Sequence, residues 1–298
     1  SKVVESILEK DAVEAVFVNK DYTPFARKRD KEIANICESK AVHFERHEDA
    51  VLAPIEEIRT GTEKLYTVFT PFMRKAMTHE VSMPRKNNFS NYYSGKLKTK
   101  TISLSQMSVD IGVRELVLQG GRKEALAILK DNQYLKNYKD RRNLPADQGT
   151  SRLSAHHKFG TISIRESYQM AADNAGRGSH FISELYWRDF YYYIAYHFPV
   201  VFKKSFLPWA KHLKWINNKN QFKAWCEGKT GVPMVDAGMR ELNQTGWMHN
   251  RVRMVVGSYL VKNLLIPWQA GEQWFRDTLV DADLASNSMG WQWVAGCG

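Results

Sequence analysis

Cysteine is scarce. The 298 residues hold three, Cys37, Cys226 and Cys297, far apart and with no CxxC pair. Neither a disulfide framework nor a cysteine-built zinc site is indicated, and a reducing compartment, cytoplasmic or nuclear, is the expectation. No apolar run reaches the ~20 residues of a membrane span, and nothing resembling a signal peptide precedes the first residues. No Gly-x-Gly-x-x-Gly follows a strand-like run, so a nicotinamide Rossmann site has no support. Metal-ligand spacing is missing too: His249 has no second ligand at helix spacing, and the Asp281/Asp283 stretch lacks the further oxygens and closing Glu of an EF-hand. Acid is missing locally, since residues 81–109 hold no Asp or Glu but carry Arg85, Lys86, Lys96, Lys98 and Lys100. That stretch reads as a solvated linker.

What is present is base and aromatic carbon. Forty-three Lys and Arg against 32 Asp and Glu give a formal charge of +11, which favours a polyanionic partner such as nucleic acid. With 43% hydrophobic residues the chain can bury a substantial core. All nine Trp lie between Trp187 and Trp293. Ser1–Lys10 reads as an amphipathic helix with Val3, Val4, Ile7 and Leu8 on one side. Val13–Val18, Phe25–Ser39 and Ala41–Phe44 read as strand, helix and strand, a piece of a parallel α/β sheet. Two short strands are not stable alone, so the chain is expected to start partway through a domain. From Val109 onward the periodicity is helical throughout, broken at Gly and Pro. The expectation is an incomplete α/β unit (1–80), a linker (81–109) and an all-α domain (110–298).

Four constellations carry chemistry. Thr150-Ser151-Arg152-Leu153-Ser154 offers hydroxyls and a guanidinium suited to a phosphate at a helix N-terminus, or else ordinary N-capping. Ser163 with Glu166, just downstream, reads as a capping box. In Glu184–Tyr191, helical spacing puts Glu184, Trp187, Arg188 and Tyr191 on one stripe: a structural Glu–Arg pair, or a polar cleft floored by an indole that suits an extruded base. In Gly246–Met254, Asn250, Arg253 and Met254 share a face, Arg251 turns away, and His249 reads as a packed histidine. Asn250 among bulky neighbours wants a hydrogen-bonding reason. Asp281, Asp283, Asn287, Trp291 and Trp293 form either a helix N-cap followed by core or the wall of a cofactor site.

The order Asp140-Arg141-Arg142-Asn143-Leu144-Pro145, TSRLS, ELYWRDFY, GKTGVPMVDAGMRELNQTGWMHNRVRM and DADLASNSMGWQW resembles the photolyase/cryptochrome family, closest to the enzymes acting on cyclobutane pyrimidine dimers. Val16–Arg29 and Tyr66–Phe72 resemble its α/β half, so the likeness runs over almost the whole chain. The resemblance implies an α/β antenna-type unit followed by an all-α domain that binds FAD noncovalently. It places Tyr138, Thr150, Ser151, Arg152, Leu153, Ser154, Phe181, Arg188, Arg253, Asp281, Asp283 and Asn287 at the cofactor, with Asn287 facing the flavin N5 and Phe181 standing where relatives often have Trp. It places Glu184, Trp187, Arg188, Tyr191, Asn250, Arg251, Met254 and Trp293 at DNA, with Glu184 and Asn250 reading pyrimidine edges and Trp187 and Trp293 stacking. Trp291, Trp268 and Trp215 match a tryptophan chain that carries electrons to the flavin; each also suits a core. The implied reaction is light-driven electron transfer from reduced FAD that splits the dimer, in a monomer acting on damaged DNA. A second, antenna chromophore, a folate or deazaflavin, is implied in the α/β half.

Two departures stand out. His156-His157 follow TSRLS where less polar residues are expected, and the family's first strands and C-terminal tail are missing. A cryptochrome, with the same fold and flavin but a signalling output, is the alternative; the joint presence of Glu184, Trp187, Asn250, Met254 and Trp293 favours dimer repair. A non-enzymatic basic DNA-binding protein accounts for the charge but not for Glu184, Asp281 and Asp283.

Overall fold

The computed structural model describes residues 1–84, 87–95, 98, 102–103, 106 and 117–298. Most of the basic residues of the 81–109 stretch, and the expected helical start near Val109, lie outside them. Helix α1 (Lys2–Lys10) precedes β1 (Ala15–Asn19), α2 (Pro24–Ser39) and β2 (His43–His47). The strands pair in parallel, Ala15 opposite His43 and Asn19 opposite His47. Thr23 caps α2 through its hydroxyl, which accepts the Ala26 N–H, and Pro24 takes the first helical position, where its missing N–H costs nothing. The second strand begins two residues later than the apolar run suggests. Ala41 is left-handed at φ 53°, a turn that ends the helix and delays pairing.

Residues 50–66 contain no regular element, yet Val51, Ile55 and Ile58 are fully buried. Backbone groups buried without secondary structure must find side-chain partners. They find them on α8 (His180–His197), an 18-residue helix that follows α3 (Phe69–Ala76), α4 (Arg122–Lys130), α5 (Tyr138–Arg141), α6 (Ser154–Phe159) and α7 (Ile164–Ala175). Asp189 accepts the Leu52 N–H at 2.7 Å, Tyr193 accepts the Tyr66 N–H and donates to Ile58 O, and Arg188 donates to Ala50 O. Between these polar groups, Phe181, Ile182, Leu185, Tyr186, Phe190 and Ile194 are buried, so α8 is the axis of a first core that also takes in Phe72, Ala76 and Leu153. Each such side chain contributes about 1.5–3 kcal/mol relative to exposure.

A second core is built from α9 (Lys219–Cys226), α10 (Pro233–Thr245), α11 (Asn250–Ser258), the π-helical turn Tyr259–Asn263, α12 (Trp268–Thr278) and α13 (Leu284–Val294). Its centre is Trp225, Trp268, Phe275 and Trp291. Gly271 permits the closest contact: a Cβ there would lie 2.2 Å from the Trp291 ring. The helical periodicity expected throughout fails over residues 199–217, where Pro199 and Pro208 start only short 3-10 turns. The capping box at Ser163 and Glu166 is present. His156 and His157 are packing residues. His156 bonds Thr161 Oγ1 at 2.8 Å and His157 bonds Ser167 Oγ at 2.7 Å, and burial pushes His157 down to about 3, so it is neutral.

Asp189 ties the two halves, and burial pushes its carboxyl up to about 7, against the opposing pull of Arg188 and two backbone N–H groups. A carboxyl raised above its unfolded value near 3.9 contributes stability that is complete at low pH and is lost as pH rises to the folded value. Asp189→Asn removes that titration. The stability difference between Asp189→Asn and the parent, from urea unfolding, is expected to move toward the variant by up to about 1.4 kcal/mol per pH unit between pH ~4 and ~7. A difference that stays constant over that range contradicts this.

Candidate functional site

The two cores do not close on one another. Along their seam lies a cavity of about 400 Å³, with Glu184, Trp187 and Tyr191 of α8 on one side and Asn250, Arg251, Arg253 and Met254 of α11 on the other. Arg142, Phe275, Leu279, Asp281, Asp283, Asn287, Gly290, Trp291 and Trp293 are among the other lining residues. Residues from three separate motifs, scattered over more than a hundred positions, thus face one space.

Each polar group is held. The Arg253 guanidinium spans the floor, donating to Met248 O through Nε at 2.8 Å and to both Asp281 oxygens at 2.8 and 3.1 Å. Burial pushes the Asp281 carboxyl up, but Arg253 and a hydrogen bond from Ser154 outweigh it and hold the group below the usual carboxylate range. Asp283 caps α13 by accepting the Ser286 N–H at 2.8 Å, and its other oxygen accepts the Tyr192 hydroxyl at 2.5 Å. Both readings of this motif are therefore met at once: an N-cap and a cavity wall. Asn287 spends its Nδ2 hydrogens on Glu272, on the carbonyl at 2.9 Å and the carboxylate at 3.0 Å, which leaves its Oδ1 as the group free to accept. Burial holds the Glu272 carboxyl above its ordinary value. Asn250 stands at the first position of α11, where Asn is well tolerated, and its side chain is exposed. His249, the packed histidine, caps that helix by accepting the Arg251 N–H.

The stripe on α8 divides. Glu184 faces the cavity but pairs with Arg142, not with Arg188 four residues on. Arg188 directs its side chain away from the cavity, donates to Ala50 O and lies over the Tyr192 ring at 4.6 Å. It lines a separate polar recess together with Lys20, Glu48, Arg165 and His157. Trp187 stacks on Phe69 at 3.6 Å, so one face is taken and the remaining surface lines the cavity. Trp293 is 54% exposed, at the rim.

The TSRLS loop reaches the cavity through one residue. Ser154 bonds Asp281, whereas Ser151 Oγ accepts the Leu153 N–H in a local turn and Leu153 is buried in the first core. Arg152, left-handed at φ 54°, lays its guanidinium over Trp247 at 4.6 Å. Thr150 and Ser151 are half-buried beside it. Gly149 is needed here, because a Cβ would lie 2.7 Å from the Arg141 backbone. Tyr138 and Phe181 meet edge to face at 5.5 Å, outside the cavity lining. Trp268 is buried in the second core and Trp215 packs at its edge, so both are set back from the cavity. Sequence reasoning missed Arg142, Glu272 and Tyr192 as contributors. Each acts on a residue 15 to 91 positions away, and no local spacing signals such a partner.

A flavin suits this donor set. Phe275, Leu279, Met254 and Trp291 give apolar walls for a planar ring, Asn287 Oδ1 offers an acceptor, and the buried Trp291 Nε1–H has no partner among the described residues. Comparisons with known proteins agree. Residues 181–298 match the family model described as the FAD binding domain of DNA photolyase, and residues 1–87 match the DNA photolyase model. The chain is 36% identical to the deoxyribodipyrimidine photo-lyase of Escherichia coli, an alignment covering 100% of this chain and 65% of that one. Among solved structures it resembles a class III photolyase from Agrobacterium tumefaciens, with TM-score 0.89, 32% identity and coverage of 100% of this chain and 64% of that one. It also resembles a cryptochrome from Synechocystis, with TM-score 0.84, 27% identity and coverage of 100% and 65%. The chain thus spans about two thirds of the length of these relatives.

The Arg253–Asp281 pair gives a direct test. Arg253→Ala leaves a buried carboxylate without its counter-charge, a loss of about 3 kcal/mol at pH 7. Asp281 is depressed in the folded state, so its contribution is present above the carboxylate range and is lost as pH falls through it. The penalty measured by urea unfolding is expected to shrink toward pH ~3. An equal penalty at both pH values contradicts the pairing.

Proposed function

The chain belongs to the photolyase/cryptochrome family, and on that premise we propose that it is a deoxyribodipyrimidine photo-lyase, a carbon–carbon lyase that repairs cyclobutane pyrimidine dimers in DNA. The observation that carries this reading is the convergence of Glu184, Asn250, Met254 and Trp187 with Arg253, Asp281, Asn287 and Trp291 on one cavity. FAD, when bound there, supplies the light-absorbing one-electron donor that opens the cyclobutane ring. The protein's part is binding, orientation and exclusion of water. Arg253, Asp281, Asp283, Asn287 and Ser154 are the residues that would hold the cofactor, Asn287 presenting its carbonyl oxygen.

Extruding a dimer from the duplex costs a few kcal/mol, least where damage has already weakened stacking. Trp187 and Trp293 offset this by contact with the bases, each base–indole contact contributing about 1–3 kcal/mol. Glu184 and Asn250, on opposite walls, read the pyrimidine edges. Arg251 at the rim, with the chain's positive balance, holds phosphate. Trp291 lies against the cofactor space, and with Trp268 and Trp215 it forms the route by which electrons reach the cofactor from the surface. A cryptochrome-type photoreceptor shares the flavin and the fold, and the Synechocystis likeness favours keeping it as the second reading. A carboxylate and a carboxamide lining one cavity have work in dimer repair and none that signalling requires.

The test is repair of a defined thymine dimer under blue light against a dark control. Light-dependent restoration of thymines is expected; its absence in flavin-loaded protein, with the dimer bound, favours the photoreceptor. Glu184→Ala removes a charge-assisted bond of about 1.5–3 kcal/mol, so repair per absorbed photon is expected to fall about tenfold, with general DNA affinity less affected. Undiminished repair with full flavin content removes Glu184 from the reaction.

A further inference from the structure

Between Asp189 and Glu227 the chain carries no Asp, Glu or Arg, but six Lys: Lys203, Lys204, Lys211, Lys214, Lys219 and Lys223. Lys223 pairs with Glu227. The other five are exposed and join no ion pair among the described residues. Set among them are Trp209 at 53% and Ile216 at 66% exposure. The segment is fixed in place, since Phe206 N–H donates to Gln292, Leu207 N–H to Cys297 O and Ile216 N–H to Leu265 O.

This face is not the cavity face. At 100° per residue, Gln292 points away from the bisector of its neighbours Trp291 and Trp293, both of which line the cavity. Gln292 is buried under residues 201–206, so the lysine segment covers the far side of α13. Beneath it lie two of the relay tryptophans. The Trp268 indole N–H donates to Ser205, next to Lys203 and Lys204, and Trp215 is half-buried between exposed Lys214 and Ile216.

We propose that this face is the docking surface of a small acidic electron-carrier protein, delivering electrons at Trp215. Within the segment the charge is one-signed and lysine-only, with Trp209 and Ile216 as its exposed apolar residues. Compact, strongly hydrated ammonium groups beside exposed apolar residues suit a weak, salt-sensitive protein encounter of the redox kind. A phosphate-tracking segment favours arginine forks, and this one has no arginine. The docking rests on the proposed function only for its purpose. One electron passes from the carrier's ferrous iron to an oxidised Trp215 indole, restoring the neutral indole and leaving ferric iron, with no proton moved.

Docking is measured in the dark, without a dimer, so its failure is distinct from failure of repair. The chain is titrated with a plant-type [2Fe–2S] ferredoxin, whose surface is carboxylate-rich, and in parallel with an undamaged DNA duplex. Saturable ferredoxin binding is expected at about 20 mM salt, weakening about tenfold by about 200 mM. Lys211→Glu/Lys214→Glu is expected to weaken it at least about tenfold while changing duplex binding less than about twofold. Trp209→Ala, which alters no charge, is expected to weaken ferredoxin binding about threefold. No saturable binding at low salt, binding unmoved by the double charge reversal, or a parallel loss of duplex binding overturns the proposal; the last identifies a nucleic-acid surface.

Discussion

Helix α8 has two incompatible duties, and the arrangement of the rest follows from how it meets them. One side must satisfy the backbone of residues 50–66, a buried stretch with no regular hydrogen bonding of its own. Asp189, Tyr193 and Arg188 do this, reaching Leu52, Ile58, Tyr66 and Ala50. The other side must face an open cavity with Glu184, Trp187 and Tyr191. A helix with both duties has no face left for bulk solvent, which explains why its apolar residues show no single stripe. Glu184 and Arg188, four residues apart, do not pair because each is engaged elsewhere, Glu184 by Arg142 and Arg188 by Ala50 O.

The cavity lies where the two cores meet, and paired polar groups form part of its walls. Arg253 with Asp281, Tyr192 with Asp283 and Glu272 with Asn287 brace its walls. Leaving any of these charges unpaired costs more than the pair contributes, so the bracing contacts act as a set.

Much of this was legible in the sequence. The strand–helix–strand start, the Ser163 capping box and the helical second half follow from periodicity and caps, whose causes are local. The residues expected at DNA reach the cavity with one exception, Arg188, and those expected at the flavin through Arg253, Asp281, Asp283, Asn287 and Ser154. What spacing could not show is long-range: that Arg142 takes the Glu184 carboxylate, that Glu272 fixes the Asn287 amide, and that Phe69 covers one face of Trp187. The second strand starts later than the apolar run because the left-handed Ala41 closes the end of α2, its N–H bonding Glu38 O and the Val42 N–H bonding Cys37 O, a turn that without glycine leaves no mark on composition. Residues 199–217 depart from the expected helix because Val201, Phe202 and Phe206 pack on the first core and Ala210 and Trp215 on the second, so their apolar spacing answers to two cores and not to a helix period.

That the seam between the two cores holds a flavin is tested most directly through Gly290, which lines the cavity and where an added side chain meets open space. Apoprotein titrated with FAD, followed by indole fluorescence, should saturate at one flavin per chain with quenching of the cavity tryptophans. Gly290→Trp, whose Cβ meets no other atom within 4 Å and whose indole occupies cavity space, should keep the urea-unfolding midpoint and lose that saturation. One-to-one FAD binding that survives Gly290→Trp unchanged would place the flavin elsewhere and contradict the account.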